Sequence, residues 1–388
     1  MQRSWVEISK NALRENVRML RGIIGPDRVF CAVVKANAYG HGLVEVAKIV
    51  AGENAFGGGE QKGWFGVDSV DEAVTLRDAG IAAPMLVLGY IPVADAKRAV
   101  RANVRAVVAE RATVRALARG AGRRSVPVHI KVETGTQRQG VTLRELPAFA
   151  RYVERTAGVT LAGVSTHLAD IEDTGPHGFA RLQLERFARA AAIAEHIAKR
   201  PLMRHAAASA AALLMDDARH DLARFGMALY GVWPSARVRV AIVHRSTQEA
   251  QGHSFALHPV LTWKTIVGPM HWVPAGSPIG YGCTERVECR TRVAVLPVGY
   301  WDGYDRRLSR IAHVLIRGKR CKVLGRVCMN MTIVDVTGVP GVRMEDPAVL
   351  IGSQGRAEIT ADELAEHMGT ISYEVVTRIN PQIVRLVV

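Results

Sequence analysis

At 388 residues the chain is longer than a single hydrophobic core usually grows, so a barrel plus a second domain is the expectation. Hydrophobic residues make up 48% and charged residues 22%, an ordinary globular composition. The net charge of +15, from 51 Lys and Arg against 36 Asp and Glu, includes no dense basic run interleaved with aromatics. It reads as a solvated basic surface attractive to anionic metabolites, with no nucleic-acid partner. The five cysteines, Cys31, Cys283, Cys289, Cys321 and Cys328, form no CxxC pair and no zinc spacing. Reduced thiols and no metal site are expected. No stretch approaches transmembrane length and Met1–Arg21 lacks an apolar signal region, so a cytoplasmic protein without a membrane partner is expected.

In chain order, short apolar runs predict strands at Val29–Val34, Trp64–Val67, Met85–Leu88, Arg105–Val108, Val128–Val132, Leu161–Thr166, Met203–Ala206 and Phe225–Leu229. Helical periods fall between them at Val70–Ala79, Val93–Val100, Ala112–Ala118, Leu143–Thr156 and Phe179–Lys199. Eight strands, each followed by a helix or turn, count out an α/β fold, a (β/α)8 TIM-type barrel, with chemistry expected at the strand ends. A doubly wound sheet is the alternative, but no GxGxxG follows any strand. Trp233–Pro259 is irregular and reads as a linker with a partly ordered insertion. Beyond it, Val260–Val273, Thr291–Pro297, His313–Arg317, Cys321–Cys328, Met331–Val336 and Ala348–Ile351 read as short strands. One helix opens on the capping box Thr360-Ala361-Asp362-Glu363, with Gly369 at its C-cap. The expected division is a barrel over residues 1–238 and a mostly β domain over residues 239–388.

The segment Cys31-Ala32-Val33-Val34-Lys35-Ala36-Asn37-Ala38-Tyr39-Gly40-His41-Gly42 ends the first strand on a lysine, and glycines then precede a helical period at Leu43, Val46 and Ala47. A lysine at the mouth of a buried strand is costly unless it is paired or its pKa falls. A partly desolvated amine is also the nucleophile that makes Schiff bases. Snorkelling from the strand end is the plain alternative. The tyrosine four residues on and the glycine turn favour an anion cradle instead. The string AVVKANAYGHG resembles the pyridoxal-phosphate lysine motif of the alanine racemase family. That resemblance implies that Lys35 carries pyridoxal 5'-phosphate as a Schiff base and is one of two catalytic bases, with Tyr39 on the cofactor phosphate.

The resemblance recurs along roughly Trp5 to Pro381. Lys131-Val132-Glu133-Thr134-Gly135-Thr136-Gln137-Arg138 resembles K-[VI]-[DE]-T-G-M-x-R, which implies that Arg138 bonds the cofactor ring hydroxyl and the substrate carboxylate. A guanidinium fork suits both. Lys131 matches a lysine that is carbamylated in some members, and Thr136 departs from the usual Met. His167 resembles the histidine that bonds the catalytic tyrosine and a cofactor-ring arginine, although a lone strand-end histidine is more often structural. His205-Ala206-Ala207-Ala208-Ser209 resembles H-x-x-N-S, with Ser209 on phosphate, His205 behind it and Ala208 in place of Asn. Arg224-Phe225-Gly226-Met227-Ala228-Leu229-Tyr230-Gly231 resembles R-x-G-[IM]-A-x-Y-G, which implies Arg224 at the pyridine nitrogen and the Gly226 and Met227 amides at the phosphate. Arginine has no acceptor and stays protonated, so the ring nitrogen stays unprotonated and a weaker electron sink.

Racemisation needs a second base on the face opposite Lys35. Tyr281, in Ser277-Pro278-Ile279-Gly280-Tyr281-Gly282, matches the family tyrosine that supplies it across a homodimer interface; His167 and Arg224 are the expected perturbers of its pKa. Tyr300 in LPVGYWDG, Met329 in GRVCMN and Tyr373 in ISYE match residues at the substrate entrance, the substrate carboxylate and the cofactor phosphate, with Asn330 in place of Asp. The activity so implied is interconversion of L- and D-alanine, supplying D-alanine for peptidoglycan. The rivals are a broader or serine-preferring racemase, a barrel decarboxylase faintly echoed by Gly57-Gly58-Gly59, and a non-enzymatic cofactor carrier.

Overall fold

The computed structural model describes residues 2–53, 56, 63–172, 177–248 and 255–388; Gly57-Gly58-Gly59 lies outside the described residues. The chain forms two compact units. One comprises Met1–Ala12, Tyr39–Glu45 and Pro259–Val388, the other Leu13–Ala38 and Val46–His258. The first strand of the chain, β1 (Ser4–Ile8), belongs to the former.

The second unit is built on β2 (Val29–Val33), β3 (Gly63–Val67), β4 (Met85–Val87), β5 (Arg105–Val108), β6 (Val126–Lys131), β7 (Val159–Ser165), β8 (Met203–His205) and β9 (Leu222–Phe225). These strands pair in parallel in that order, and β9 returns to pair with β2. The seam between β8 and β9 is closed by Asp221 N–H to Arg204 O and Arg224 N–H to Ala207 O, both 3.1 Å. The result is the expected (β/α)8-type barrel. Its strands are buried along their whole length in β2, β3, β4 and β9, as a parallel sheet covered by helices demands. The outer helices show why they form: Arg111–Ala121 buries Val114, Leu117 and Ala121 on one stripe and exposes Arg111, Arg115 and Arg119 on the other.

Two expectations for this unit need correction. The eighth barrel strand is Leu222–Phe225, not Phe225–Leu229; Met227–Tyr230 is a 3-10 turn. Gly226 breaks the strand, and the Tyr230 hydroxyl donates to Val33 O at 2.8 Å, drawing the turn against β2. The turn is buried all round, so its apolar run carries no period to tell strand from helix. The stretch expected as an irregular linker contains the helix Ala236–Gln248, whose buried pair Val238 and Ile242 is too sparse a stripe to read.

The other unit is mostly β. After β1 come β10 (Leu261–Ile266), β11 (Met270–Val273), β12 (Pro278–Ile279), β13 (Glu285–Arg286), β14 (Thr291–Leu296), β15 (His313–Ile316), β16 (Lys319–Leu324), β17 (Thr332–Asp335), β18 (Pro347–Gln354), β19 (Ala357–Ile359) and β20 (Val384–Val387). The main sheet runs β11-β14-β17-β16-β15-β18-β10-β1-β20, with β19 on β18. The single run expected over Val260–Val273 is two strands. Gly268 passes so close to β14 that an added Cβ would sit 2.6 Å from Val295 O, and Pro269 offers no ladder donor. The strand expected over Cys321–Cys328 stops at Leu324, where Gly325 turns with φ +64°. The capped helix is where the box predicts it: the Thr360 hydroxyl accepts from Glu363 N–H at 3.0 Å, and Gly369 is left-handed at the C-cap of Ala361–Met368. Among the described residues no helix is long and apolar enough to cross a membrane.

Candidate active site

Lys35 follows β2 and opens a rare backbone feature. Ala36, Asn37, Ala38 and Tyr39 all have φ between 52° and 55°, a left-handed helical turn. L-residues resist this conformation by roughly 1–2 kcal/mol each, so something must hold it. Ala38 N–H donates to Val34 O at 2.7 Å, and Ala36 N–H donates to Glu72 Oε1 at 2.6 Å. Glu72 is itself fixed in a capping box with Ser69 at the start of helix Val70–Asp78. Lys35 Nζ lies 3.2 Å from Asp68 Oδ1, so the cost of a strand-end lysine is met by a partly exposed ion pair.

Around the mouth of the same barrel Arg224, Lys131 and Arg138 join Lys35, beside the carboxylates Asp68, Glu72 and Glu133. Arg224 on β9 is buried, and its two terminal nitrogens donate to His205 Nδ1 (2.8 Å), His205 O (3.1 Å), Thr166 O (2.9 Å) and Ala206 O (2.8 Å). Those four N–H groups are engaged, which leaves Nε–H as its remaining donor. Burial lowers the Arg224 pKa to about 10, still well above neutrality, and lifts the nearby Cys31 thiol to about 12, so that thiol stays protonated. Lys131, the last residue of β6, is pushed well below the ordinary lysine range by burial and then by Arg224 and Arg138, against the opposing pull of Glu133. His167 falls to about 2 through burial and the charges of Arg224, Lys131, Arg138 and Lys35. It is a neutral imidazole throughout the working pH range.

The loop carrying Arg138 is tied by a carboxylate. Glu133 accepts from Gly135 N–H (2.5 Å), the Thr136 hydroxyl (3.0 Å) and Arg138 N–H (3.3 Å). Burial raises its pKa, but the donors of Gln137, Gly135, Thr136 and Arg138 outweigh that and leave it lowered. A lowered carboxylate stabilises the fold above its unfolded pKa and loses that contribution as pH falls through the folded one. The Arg138 guanidinium is exposed and has no hydrogen bond to the described residues. Glu133→Gln is therefore expected to leave the fold intact but loosen the Arg138 loop, and, if Arg138 holds a substrate carboxylate as the resemblance implies, to raise KM about tenfold. Steady-state rates checked at several substrate concentrations would expose an unchanged KM. Ser209, at the start of helix Ser209–Leu214, accepts from Gly226 N–H at 3.0 Å, so two residues expected at one phosphate are already in contact.

The mostly β unit holds the remaining candidates. The rings of Tyr39 and Tyr373 meet edge to face, with centroids 6.2 Å apart. Gly40 permits this: with φ +83°, an added Cβ would stand 2.0 Å from Val376 O on the helix Ser372–Thr377 that carries Tyr373. Gly40→Ala is expected to strain the backbone by about 1–3 kcal/mol and to part the two tyrosines. A lower thermal midpoint, read by calorimetry or circular dichroism, is the expected readout. Tyr281 is 72% exposed in a turn between β12 and β13, with Gly280 and Gly282 at φ +71° and +76°. Exposed Tyr300 and Met329 lie on two loops joined by Tyr300 N–H to Cys328 O (3.0 Å) and Trp301 N–H to Met329 O (2.9 Å).

Reading the sequence missed several supporting residues. Asp68 and Glu72 were findable from the Ser69-x-x-Glu72 capping box. Gln183 was not: it is fully buried on helix Gly178–Ala198, and its side chain reaches His167 O at 3.2 Å, Thr134 Oγ1 at 3.1 Å and Ala169 N at 2.8 Å. His129, buried in β6 beside His205, also went unread.

A closed barrel with a lysine on a strained turn and a mouth lined by two arginines and neutral imidazoles defines an enzyme of the barrel class suited to an anionic ligand. Family models for the alanine racemase N-terminal domain and the alanine racemase C-terminal domain match residues 8–234 and 260–387. A relative named alanine racemase from Symbiobacterium thermophilum is 43% identical, over 99% of this chain and 97% of its own. One of the same name from Leptospira interrogans is 36% identical, over 99% and 96%. The crystal structure of alanine racemase from Streptomyces lavendulae superposes with a TM-score of 0.88 at 32% identity, covering 100% of this chain and 97% of its own. That of alanine racemase from Bacillus anthracis with bound L-Ala-P superposes with a TM-score of 0.89 at 32% identity, covering 100% and 95%. The chain belongs to the alanine racemase family, whose members are isomerases.

Proposed function

We propose that the protein interconverts L- and D-alanine with pyridoxal 5'-phosphate, using Lys35 and Tyr281 as bases on opposite faces of the substrate, in the cytoplasm and as a supply of D-alanine for peptidoglycan. The observation that carries this is the concentration of Lys35, Lys131, Arg138, Arg224 and neutral His167 at one barrel mouth, with Asp68, Glu72 and Glu133 as the carboxylates beside them. Such a surplus of donors fits a group bearing a phosphate and a phenolic oxygen, together with a substrate carboxylate. When bound, the cofactor supplies an electron-withdrawing ring that makes the α-hydrogen of the amino acid acidic.

The chain's own residues do the rest. Lys35 Nζ would anchor the cofactor and, as a free amine once the substrate amine has displaced it, would take or return the α-proton on its side. The Tyr281 hydroxyl would carry the α-proton on the other side, reaching the site from a second copy of the chain in a homodimer; its 72% exposure in the lone protomer supports that reading. Ser209, the Gly226 and Met227 amides, Tyr39 and Tyr373 would hold phosphate. Arg224 Nε–H would meet the pyridine nitrogen without yielding its proton, which restrains amino-group transfer. Arg138 would orient the ring hydroxyl and the substrate carboxylate, Met329 the carboxylate, Tyr300 would narrow the entrance, and His205 would back Arg224. Lys131, its pKa pushed down by burial and by Arg224 and Arg138, sits among cations: its unprotonated nitrogen bonding the carbon of CO2, with one proton released, would place an anion beside Arg138 and Arg224.

NMR of the cofactor-loaded protein in D2O tests the proposal, with L-alanine and L-serine in separate samples and a chiral assay of the product. Cα deuteration with D-alanine formed and serine slow is the expected result. Comparable rates on both would replace it with a broader racemase, a reading to which the exposed Asn330 beside Met329 lends some support. Loss of the carboxylate would replace it with a decarboxylase.

A further inference from the structure

We infer that His129 is a positioning residue that sets the tautomer of His205 and, through it, the seating of Arg224. Arg224 Nη1 is only ever a donor, and it lies 2.8 Å from His205 Nδ1, so that nitrogen accepts. A neutral imidazole accepting at Nδ1 carries its proton on Nε2. His205 Nε2 lies 3.0 Å from His129 Nδ1, which must accept in turn. His129 therefore carries its own proton on Nε2, an atom that is buried and has no hydrogen-bond partner among the described residues. The three groups form a one-way chain of donors and acceptors running from Arg224 into the barrel wall.

Three further observations show that the arrangement is built. The ring of His129 fits beside β7 only because its register partner there is Gly163, where an added Cβ would stand 2.3 Å from His129 Nδ1. Its outer edge is closed by Trp64, 6.0 Å away centroid to centroid and nearly perpendicular, and Arg105 lies over that indole at 4.3 Å. Both imidazoles are held neutral. Burial and then Arg105 take His129 to about 3, while burial and then Arg224 take His205 well below its ordinary value. A charged or reversed His129 would turn an N–H toward the N–H of His205, and His205 would then present a donor to Arg224. This role rests on the proposed part of Arg224 at the cofactor ring, but the tautomer chain itself does not.

The test is made on the full chain labelled with 15N-histidine, free of cofactor, by long-range proton–nitrogen NMR, with His129 and His205 assigned through single substitutions. Both residues are expected neutral with the proton on Nε2. His129→Leu is expected to give His205 a second, Nδ1-protonated population. In the cofactor-loaded protein it should lower racemase kcat about tenfold, the loss of one hydrogen bond to a charged group, with little change in KM. His129→Gln, whose carbonyl can accept from His205, is expected to restore the single tautomer and most of the rate. An Nδ1-protonated or charged His205 in the unmutated protein overturns the inference, as does a His129→Leu protein with an unchanged His205 spectrum. If the leucine variant does not fold, the spectrum of the unmutated chain decides alone. A correct tautomer pattern in a protein that does not racemise alanine would sink the functional reading and leave the chain standing.

Discussion

Lys35→Ala is expected to abolish racemisation and to leave pyridoxal phosphate unattached. On the proposed mechanism two functions would disappear with one amine: the covalent hold on the cofactor and one of the two proton carriers. Loss of a positioned acid–base group alone removes about 10²–10⁴-fold, and loss of the covalent nucleophile adds to it. The fold should not suffer, because the side chain is 38% exposed and its partner is the 55% exposed Asp68. Pairs that open to solvent contribute about 0–1 kcal/mol. Borohydride reduction followed by peptide mass analysis should find the cofactor fixed to the Lys35 peptide in the unmutated protein and to no peptide in the variant. Circular dichroism should superimpose. A variant that racemised alanine at the normal rate would remove Lys35 from the chemistry altogether.

The legible part of this molecule was the part with local signals. Barrel strands announce themselves as short, fully apolar runs because helices cover the parallel sheet. Seven of the expected barrel strands overlap the observed ones closely, and Arg105–Val108 coincides with β5. The eighth slipped because Met227–Tyr230 is apolar on every side and so has no period. Strand β1 was missed for a different reason: its partners β10 and β20 lie more than 250 residues away, and no local pattern encodes such a pairing. At the barrel mouth, charged side chains at the ends of apolar runs or in glycine-bounded loops were readable as candidates, among them Lys35, Arg138 and Arg224. Residues that act by holding others were not. Nothing in Ala36-Asn37-Ala38-Tyr39 advertises four consecutive left-handed residues; hydrogen bonds to Val34 and Glu72, outside those four residues, help to hold the turn. His129 reads as an ordinary core histidine until the distance to His205 is known.

Tyr281→Phe separates the two faces of the proposed reaction. The change removes one oxygen from a side chain that is 72% exposed, so stability should hold, and the aromatic ring keeps its place in the Gly280–Gly282 turn. Racemisation is expected to fall about 10²–10⁴-fold, the usual worth of one positioned base. In D2O the loss should be one-sided. D-alanine would still exchange its α-hydrogen through Lys35, while exchange from L-alanine, which needs the phenol, would fall with the overall rate. Equal loss for both enantiomers would remove Tyr281 from proton transfer. Mixing resolves which chain supplies it. In dimers that pair a Lys35→Ala chain with a Tyr281→Phe chain, a base acting across the interface assembles one intact site per mixed dimer. Random pairing then restores about a quarter of the sites found in the unmutated protein. A tyrosine that served its own protomer would restore none, because every site in the mixture would lack either the lysine or the phenol.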